Sequence, residues 1–272
     1  MASLDYEAEY NNSARVPEFP QIAARWEAAS AAYREVARAE LDRRYGPGER
    51  HLYDLYDAGA ADAPLLVYVH GGYWQSGDRS LYGFVAEAFN GAGLDVAIPS
   101  YSLCPDVSVL DIVDDLRLFL GELWKKTGAR ALVIGHSAGG HLTAALLATD
   151  DLVRAGVAIS GVFDLEPLVE TSINGALGLD AAAARAASPR FWPPPAKGRT
   201  LVAAVGAEES SEFRRQSREL ADEWAAAGVQ AEYAEIEAAN HFTVVDELAR
   251  PGSALHERVL TLATERRDRV GT

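Results

Sequence analysis

Short apolar runs, each separated from the next by a longer amphipathic stretch, set the limits on what this chain can become. The runs are Leu65 to His70 (LLVYVH), Asp95 to Tyr101, Ala131 to Gly135 (ALVIG), 155–160 (AGVAIS), Leu201 to Val205 and 230–236. Helical stretches fall at 79–92, 108–126, 138–149 and 211–227, and a last one covers about 253–266. The stretch 108–126 has the clearest period, with Val109, Ile112, Val113, Leu116, Phe119, Leu120 and Leu123 on one side. A short run that is apolar at nearly every position reads as a strand buried on both faces. Strands of that kind alternating with helices predict an α/β fold, a mostly parallel sheet with helices on both faces.

The pattern starts late and breaks once. Residues 1–20 read as an irregular arm ending near Pro17 and Pro20. Gln21 to about Tyr45, with Ile22, Trp26, Tyr33, Val36 and Leu41 as its larger apolar positions, reads as one helix stopped by Gly46-Pro47-Gly48. His51 to Asp57 reads as an early strand. Between Asp164 and Lys197 lie an alanine run (181–184) and Pro193-Pro194-Pro195. An insertion after a strand's C-terminal end lies near the ligand crevice of an open α/β sheet. The stretch 164–197 therefore reads as a small helical excursion over the sheet and a candidate cap, with a plain surface loop as the alternative. The chain has no internal repeat, and residues 1–272 are expected to form a single domain, residues 1–50 being its N-terminal arm and helix.

With 272 residues, 49% of them apolar and 24% charged, the chain is long and hydrophobic enough for one large core. The net charge of −15 and pI of about 4.8 repel phosphate backbones and anionic headgroups, which disfavours nucleic-acid and membrane partners. The single cysteine, Cys104, rules out an internal disulfide and suits a reducing compartment. The N-terminal residues lack a basic and then apolar leader, and no apolar run approaches a membrane span, so a cytoplasmic location is expected.

The chemistry is carried by Gly135-His136-Ser137-Ala138-Gly139. A bare G-x-S-x-G is weak evidence. Here it follows an apolar strand and opens a helix, which is the setting a nucleophile elbow requires. Gly135 and Gly139 remove side chains that would crowd the turn, and Ser137 is lifted to a helix N-terminus, where N–H groups favour negative charge. This predicts the α/β-hydrolase fold with Ser137 as nucleophile. Serine needs a base, and in this fold the order is serine, acid, histidine. His141 lies too close in sequence, and His256 sits inside a charged helix. His241, in a loop just after the run 230–236, is the candidate. The acid belongs just after Leu201–Val205, where Glu208 and Glu209 are equal candidates by position. The loop His70-Gly71-Gly72-Tyr73-Trp74 reads as an oxyanion hole, with donors from Gly71, Gly72 or Tyr73 and the N–H of Ala138. His70 is expected to brace that loop from beneath. There is no Cys/His cluster with zinc spacing and no G-x-x-x-x-G-K-[ST] loop, so neither a metal nor a nucleotide cofactor is expected.

Taken together, these motifs resemble the kynurenine formamidase (arylformamidase) branch of the α/β hydrolases. The resemblance covers most of the chain. It runs through Tyr10-Asn11, His70 to Gly77 (HGGYWQSG), Gly135 to Leu142 (GHSAGGHL), Ser160 to Pro167 (SGVFDLEP), Ser211 to Ser217 (SEFRRQS) and His241-Phe242. It implies Ser137 as nucleophile, His241 as base and Glu209, in place of an aspartate, as acid. It implies metal-free hydrolysis of N-formyl-kynurenine to kynurenine and formate, activity on aryl esters, and a homodimer.

For the substrate, Tyr73 and Trp74 would lie beside the scissile group and Tyr101 at the same sheet edge, with ordinary packing as the alternative for each. Ser172 and Asn174 could close over the site. The rival functions are a carboxylesterase or other amidase on the same scaffold, and a non-catalytic small-molecule receptor.

Overall fold

Every apolar run becomes a strand of one sheet. A computed structural model describes residues 4–265. It begins with α1 (Tyr6–Tyr10), α2 (Asn12–Arg15) and α3 (Phe19–Val36), followed by β1 (Ala39–Arg44), β2 (Leu52–Tyr56) and β3 (Leu65–Val69). Next come α4 (Gly83–Asn90), β4 (Asp95–Pro99), α5 (Val109–Thr127), β5 (Ala131–His136), α6 (Ala138–Thr149) and β6 (Val153–Ile159). The stretch before the next strand holds α7 (Asn174–Leu177) and α8 (Ala181–Ala186). The chain then forms β7 (Thr200–Gly206), α9 (Ser211–Ala226), β8 (Gln230–Ile236), α10 (Thr243–Ala249) and α11 (Ala254–Thr264).

The strand order is β1-β2-β4-β3-β5-β6-β7-β8. β2 runs antiparallel to β1 and β4, and all other neighbours are parallel. Alternate side chains feed two cores. Leu65, Val67 and Val69 pack under α5, α6 and α9, while Leu66 and Tyr68 pack under α3, α4, α10 and α11. β3, β5 and β7 are buried throughout, as strands covered on both faces must be. α5 carries both end signals. Ser108 and Asp111 form a capping box, and Gly128, at φ +64°, ends the helix in the left-handed region. Among the described residues, no helix is long and apolar enough to cross a membrane.

Three expectations need correction. The helix read over 21–45 ends at Val36, and 39–44 form the edge strand β1. The residues of 39–44 tolerate a helix, but the segment pairs with β2, and a buried charge holds it there. Asp54 accepts from the Asp42 N–H at 2.9 Å and from Arg34 and Arg79. The arm over residues 1–20 is not irregular, since α1 and α2 lie in it and α3 begins at Phe19. The sequence reading also missed α10, whose seven residues are too short for a period to register. The last predicted helix, 253–266, is observed as Ala254–Thr264, and position 266 lies outside the described residues.

The stretch 164–197 is mostly short turns, with 3₁₀ segments at Glu166–Glu170 and Pro189–Phe191 beside α7 and α8. Val162, Phe163, Leu165, Leu168, Leu177 and Ala184 from this region pack into the α5/α6/α9 core.

Candidate active site

Ser137 sits between β5 and α6 at φ 57°, ψ −118°, a conformation an L-residue rarely adopts. Its surroundings hold it there. The Ser137 N–H donates to Ile159 O at 2.8 Å. A Cβ on Gly135 would come within 2.0 Å of Gly139 O, and one on Gly139 within 2.0 Å of Val69 O. Both are contacts with backbone, so only glycine fits at either flank. The Ser137 side chain makes no capping bond, which leaves the first N–H groups of α6 uncapped at the helix's positive end.

His241 follows β8 and meets a glutamate that follows β7. Its Nδ1 lies 2.6 Å from Glu209 Oε2. The other oxygen of Glu209 accepts from Ser160 Oγ at 2.5 Å and from the Gly206 N–H at 2.7 Å. Glu209 is only 5% exposed. Three donors surround one buried carboxylate, so its charge is compensated on every side. Of the two glutamates equal by sequence position, Glu209 reaches the imidazole and Glu208 faces solvent. Phe213 and His136 flank the His241 ring at 4.6 and 4.8 Å between centroids. His136 Nε2 lies 2.6 Å from His241 O. Burial, then the neighbouring His241, hold the His136 imidazole well below its ordinary pKa. A neutral His136 donates that hydrogen bond through Nε2 and fixes the backbone of the loop.

The loop after β3 lies directly on Ser137. A Cβ on Gly71 would sit 2.8 Å from His136 O and 3.0 Å from Ser137 Cβ. Gly72, Tyr73 and Trp74 all have positive φ, at +116°, +49° and +58°. The turn is closed by the Gln75 and Ser76 N–H groups, which both donate to Gly72 O. Among the described residues, the N–H groups of Gly72 and Tyr73 donate to no protein acceptor. Beneath the loop, His70 Nδ1 contacts Gly71 O at 2.8 Å, and Tyr101 Oη donates to His70 O at 2.8 Å.

Ser137, His136 and His241 open into a cavity of about 470 Å³ walled by Gly71, Gly72, Tyr73 and the rings of Phe19, Trp26, Tyr82 and Phe242. Of the substrate residues expected from sequence, Tyr73 lines this cavity and the other four do not. Trp74 and Tyr101 are both 0% exposed. Trp74 donates to His141 Nδ1 at 3.3 Å, and Tyr101 stacks on His70. Ser172 binds Glu7 through both its N–H and its hydroxyl. Asn174 is held by backbone groups of Val169 and Leu179. The histidines rejected on sequence lie elsewhere. His141 is buried against Ala187 O, and His256 is buried and stacked on Phe89, not set in a charged face.

Sequence reasoning missed Asn12, Phe19 and Trp26, because an arm read as irregular gives no reason to place its side chains. The available signal was Tyr10-Asn11, already noted as part of the resemblance. Tyr10 is fully buried, with its hydroxyl between Glu212 and Gln216, and Asn12 Nδ2 donates to Tyr73 Oη at 3.1 Å. Phe19 stacks on Phe242 at 3.9 Å. The arm is thus one wall of the cavity. Among the described residues, no three His, Cys, Asp or Glu side chains are grouped to hold a metal ion.

Comparison with known proteins gives the family of the chain. Residues 66–245 match a family described by the alpha/beta hydrolase fold. A kynurenine formamidase of Danio rerio is 28% identical over 244 residues, covering 84% of this chain and 83% of that protein. A kynurenine formamidase of Drosophila melanogaster is 32% identical over 227 residues, covering 76% of this chain and 75% of that one. Among solved structures, a candidate thioesterase from Silicibacter sp. TM1040 superposes with a TM-score of 0.84 at 32% identity, over 93% of this chain and 98% of that chain. Esterase B of Lactobacillus rhamnosis, at 22% identity and a TM-score of 0.69 over 94% of each chain, shares the fold. The chain is a hydrolase of the α/β-hydrolase family and belongs to the branch that contains the kynurenine formamidases.

Proposed function

We propose that this hydrolase cleaves aryl formamides, N-formyl-kynurenine to kynurenine and formate foremost, through a Ser137–His241–Glu209 triad and a formyl-enzyme. The observation that carries the reading is the 2.6 Å contact of Glu209 with His241 Nδ1, beside a serine held on a strained turn in the same cavity. With Nδ1–H committed to Glu209, Nε2 of His241 is left as the base. It takes the Ser137 proton as Oγ bonds to the formyl carbon. The oxyanion is held by N–H groups of Gly72, Tyr73 and Ala138. Protonated His241 then gives its proton to the aniline nitrogen as the C–N bond breaks. A water, deprotonated by His241, attacks the formyl-enzyme, and formate leaves as Ser137 recovers its proton. Aromatic walls at Phe19, Trp26, Tyr82 and Phe242 suit an aryl leaving group. The same reading makes the partner a small molecule. The lone, buried Cys104 supports a cytoplasmic setting.

A second reading is favoured by the 32% identity to the candidate thioesterase: an esterase or thioesterase with the same triad. Steady-state hydrolysis of N-formyl-kynurenine, with p-nitrophenyl acetate in parallel, separates the two. The formamidase reading predicts a kcat/KM for the formamide of about 10⁴ M⁻¹s⁻¹ or more, as is typical for a true substrate. Turnover of the ester alone would replace it with the esterase reading. Failure of a fluorophosphonate to label Ser137 would remove both and leave a receptor.

A further inference from the structure

Beside the aromatic cavity lies a second hollow of about 360 Å³, lined by Asn12, Arg15, Val16, Glu18, Glu208, Glu209, Asn240 and His241. It adjoins the first at Asn12 and His241, which line both. The hollow is bounded by α2 on one side and by the loops after β7 and β8 on the other. Its charges are of both signs. Arg15 is exposed at the end of α2 and has no carboxylate within ion-pair distance among the described residues. That is unusual in a chain with a net charge of −15, where most arginines are paired with an acid. Glu18 and Glu208 face the same space and are exposed. Among the described residues, none of these three side chains makes a hydrogen bond or an ion pair.

We propose that this hollow is a subsite for the zwitterionic α-amino-acid end of the substrate, with Arg15 pairing with its carboxylate and Glu18 and Glu208 with its ammonium. The proposal rests on the formamidase reading and adds to it. The argument is one of connectivity. In N-formyl-kynurenine the amino-acid chain is attached ortho to the formamide nitrogen, so the tail leaves the ring beside the scissile bond and not at the far end. With the formyl carbon at Ser137 and the ring among the aromatic walls, that tail must exit near His241. The hollow opens there. A guanidinium presents a planar fork of donors that fits a carboxylate, and the two glutamates that line the same hollow fit an ammonium. On a surface this acidic, an anionic group finds an unpaired arginine in few other places.

The test compares N-formyl-kynurenine with 2′-formamidoacetophenone, which keeps the formanilide ring and ortho ketone but lacks the amino-acid end. Wild-type enzyme is expected to favour the zwitterion. Arg15→Gln should lower the ratio of the two kcat/KM values about tenfold or more, mainly through KM for the zwitterion, and Arg15→Lys should keep part of the ratio. An unchanged ratio in Arg15→Gln would overturn the subsite. If the wild-type enzyme cleaves both formamides equally well, the subsite also falls while the formamidase reading stands. If it cleaves neither but hydrolyses p-nitrophenyl acetate, the formamidase reading fails and takes the subsite with it.

Discussion

The phenol of Tyr73 donates to the main-chain carbonyl of Tyr10 at 2.5 Å and accepts from Asn12 Nδ2 at 3.1 Å. The loop that lies on Ser137 is therefore tied to the N-terminal arm. Tyr73 is itself held at φ +49°, so its ring is a strut between a strained loop and α1. Burial, reinforced by the charges of Glu209 and Glu7, pushes its hydroxyl pKa far up and keeps it a donor. Tyr73→Phe leaves the Tyr10 carbonyl and the Asn12 amide without that partner. We expect a loss of about 1–3 kcal/mol of stability in urea titrations. A fall in kcat/KM of about tenfold or more should accompany it, because the oxyanion donors loosen. Normal activity with lowered stability would make the strut purely structural.

Glu209 separates charge from shape. In Glu209→Gln, the amide oxygen can still accept from Ser160 and Gly206, so the loop should keep its form. The amide NH₂ then faces His241 Nδ1 and favours the tautomer with its proton on Nε2, which cannot take one from Ser137. The expected result is a kcat lower by about 10³–10⁴ with little change in the melting temperature. Activity within tenfold of wild type would remove Glu209 from the triad.

Ser137 carries strain that its replacement can measure. At φ 57°, ψ −118°, any residue with a Cβ is disfavoured by about 1–3 kcal/mol, whereas glycine is not. Ser137→Ala and Ser137→Gly should both lack hydrolysis. The glycine variant should nevertheless be more stable than the alanine variant by about 1–2 kcal/mol, despite the greater freedom glycine gives the unfolded chain. A glycine variant less stable than the alanine variant would mean that the turn is not strained.

Much of the sheet and of the candidate site was legible in the sequence, because both are written in local patterns. A run such as ALVIG has no reading other than a buried segment, and the glycines at 135 and 139 are demanded by backbone contacts within the elbow. The glutamate that meets His241 was legible only to within two residues, since the choice between Glu208 and Glu209 depends on which way the turn after β7 faces. β1 was misread because its determinant is remote. Asp54 recruits Arg34, Arg79 and the Asp42 backbone from three places in the chain. Trp74 and Tyr101 were given to the substrate because position along a strand does not tell the cavity side of a loop from its underside. Phe19 and Trp26 belong to the cavity only because α3 packs across its mouth.

The buried histidines set a limit on acid stability. Burial lowers His70 and His141 to about 4 from an ordinary 6.5, and burial, helped by His241, also holds His136 well below its ordinary value. In the unfolded chain each takes up a proton as the pH falls through 6.5, while in the fold His70 and His141 stay neutral until about 4, and His136 is likewise held neutral below its ordinary value. The unfolded chain then holds more protons, so stability is intact above pH 6.5 and is lost as the pH drops towards 4. His70 and His141 each contribute a slope of about 1.4 kcal/mol per pH unit in that window, and His136 acts in the same direction. Asp78, lowered to about 2 by its hydrogen bonds to Ser80 and Ser100 against the opposing effect of burial, adds a loss only below 3.8. Asp95 and Asp164, raised chiefly by burial, act in the opposite direction. Urea titrations at pH 7, 6 and 5 should show the steep fall. His141→Gln can keep both bonds of the ring, donating to Ala187 O and accepting from Trp74 Nε1. It should flatten the slope by about 1.4 kcal/mol per pH unit, and a slope parallel to wild type would mean that His141 is already charged in the fold.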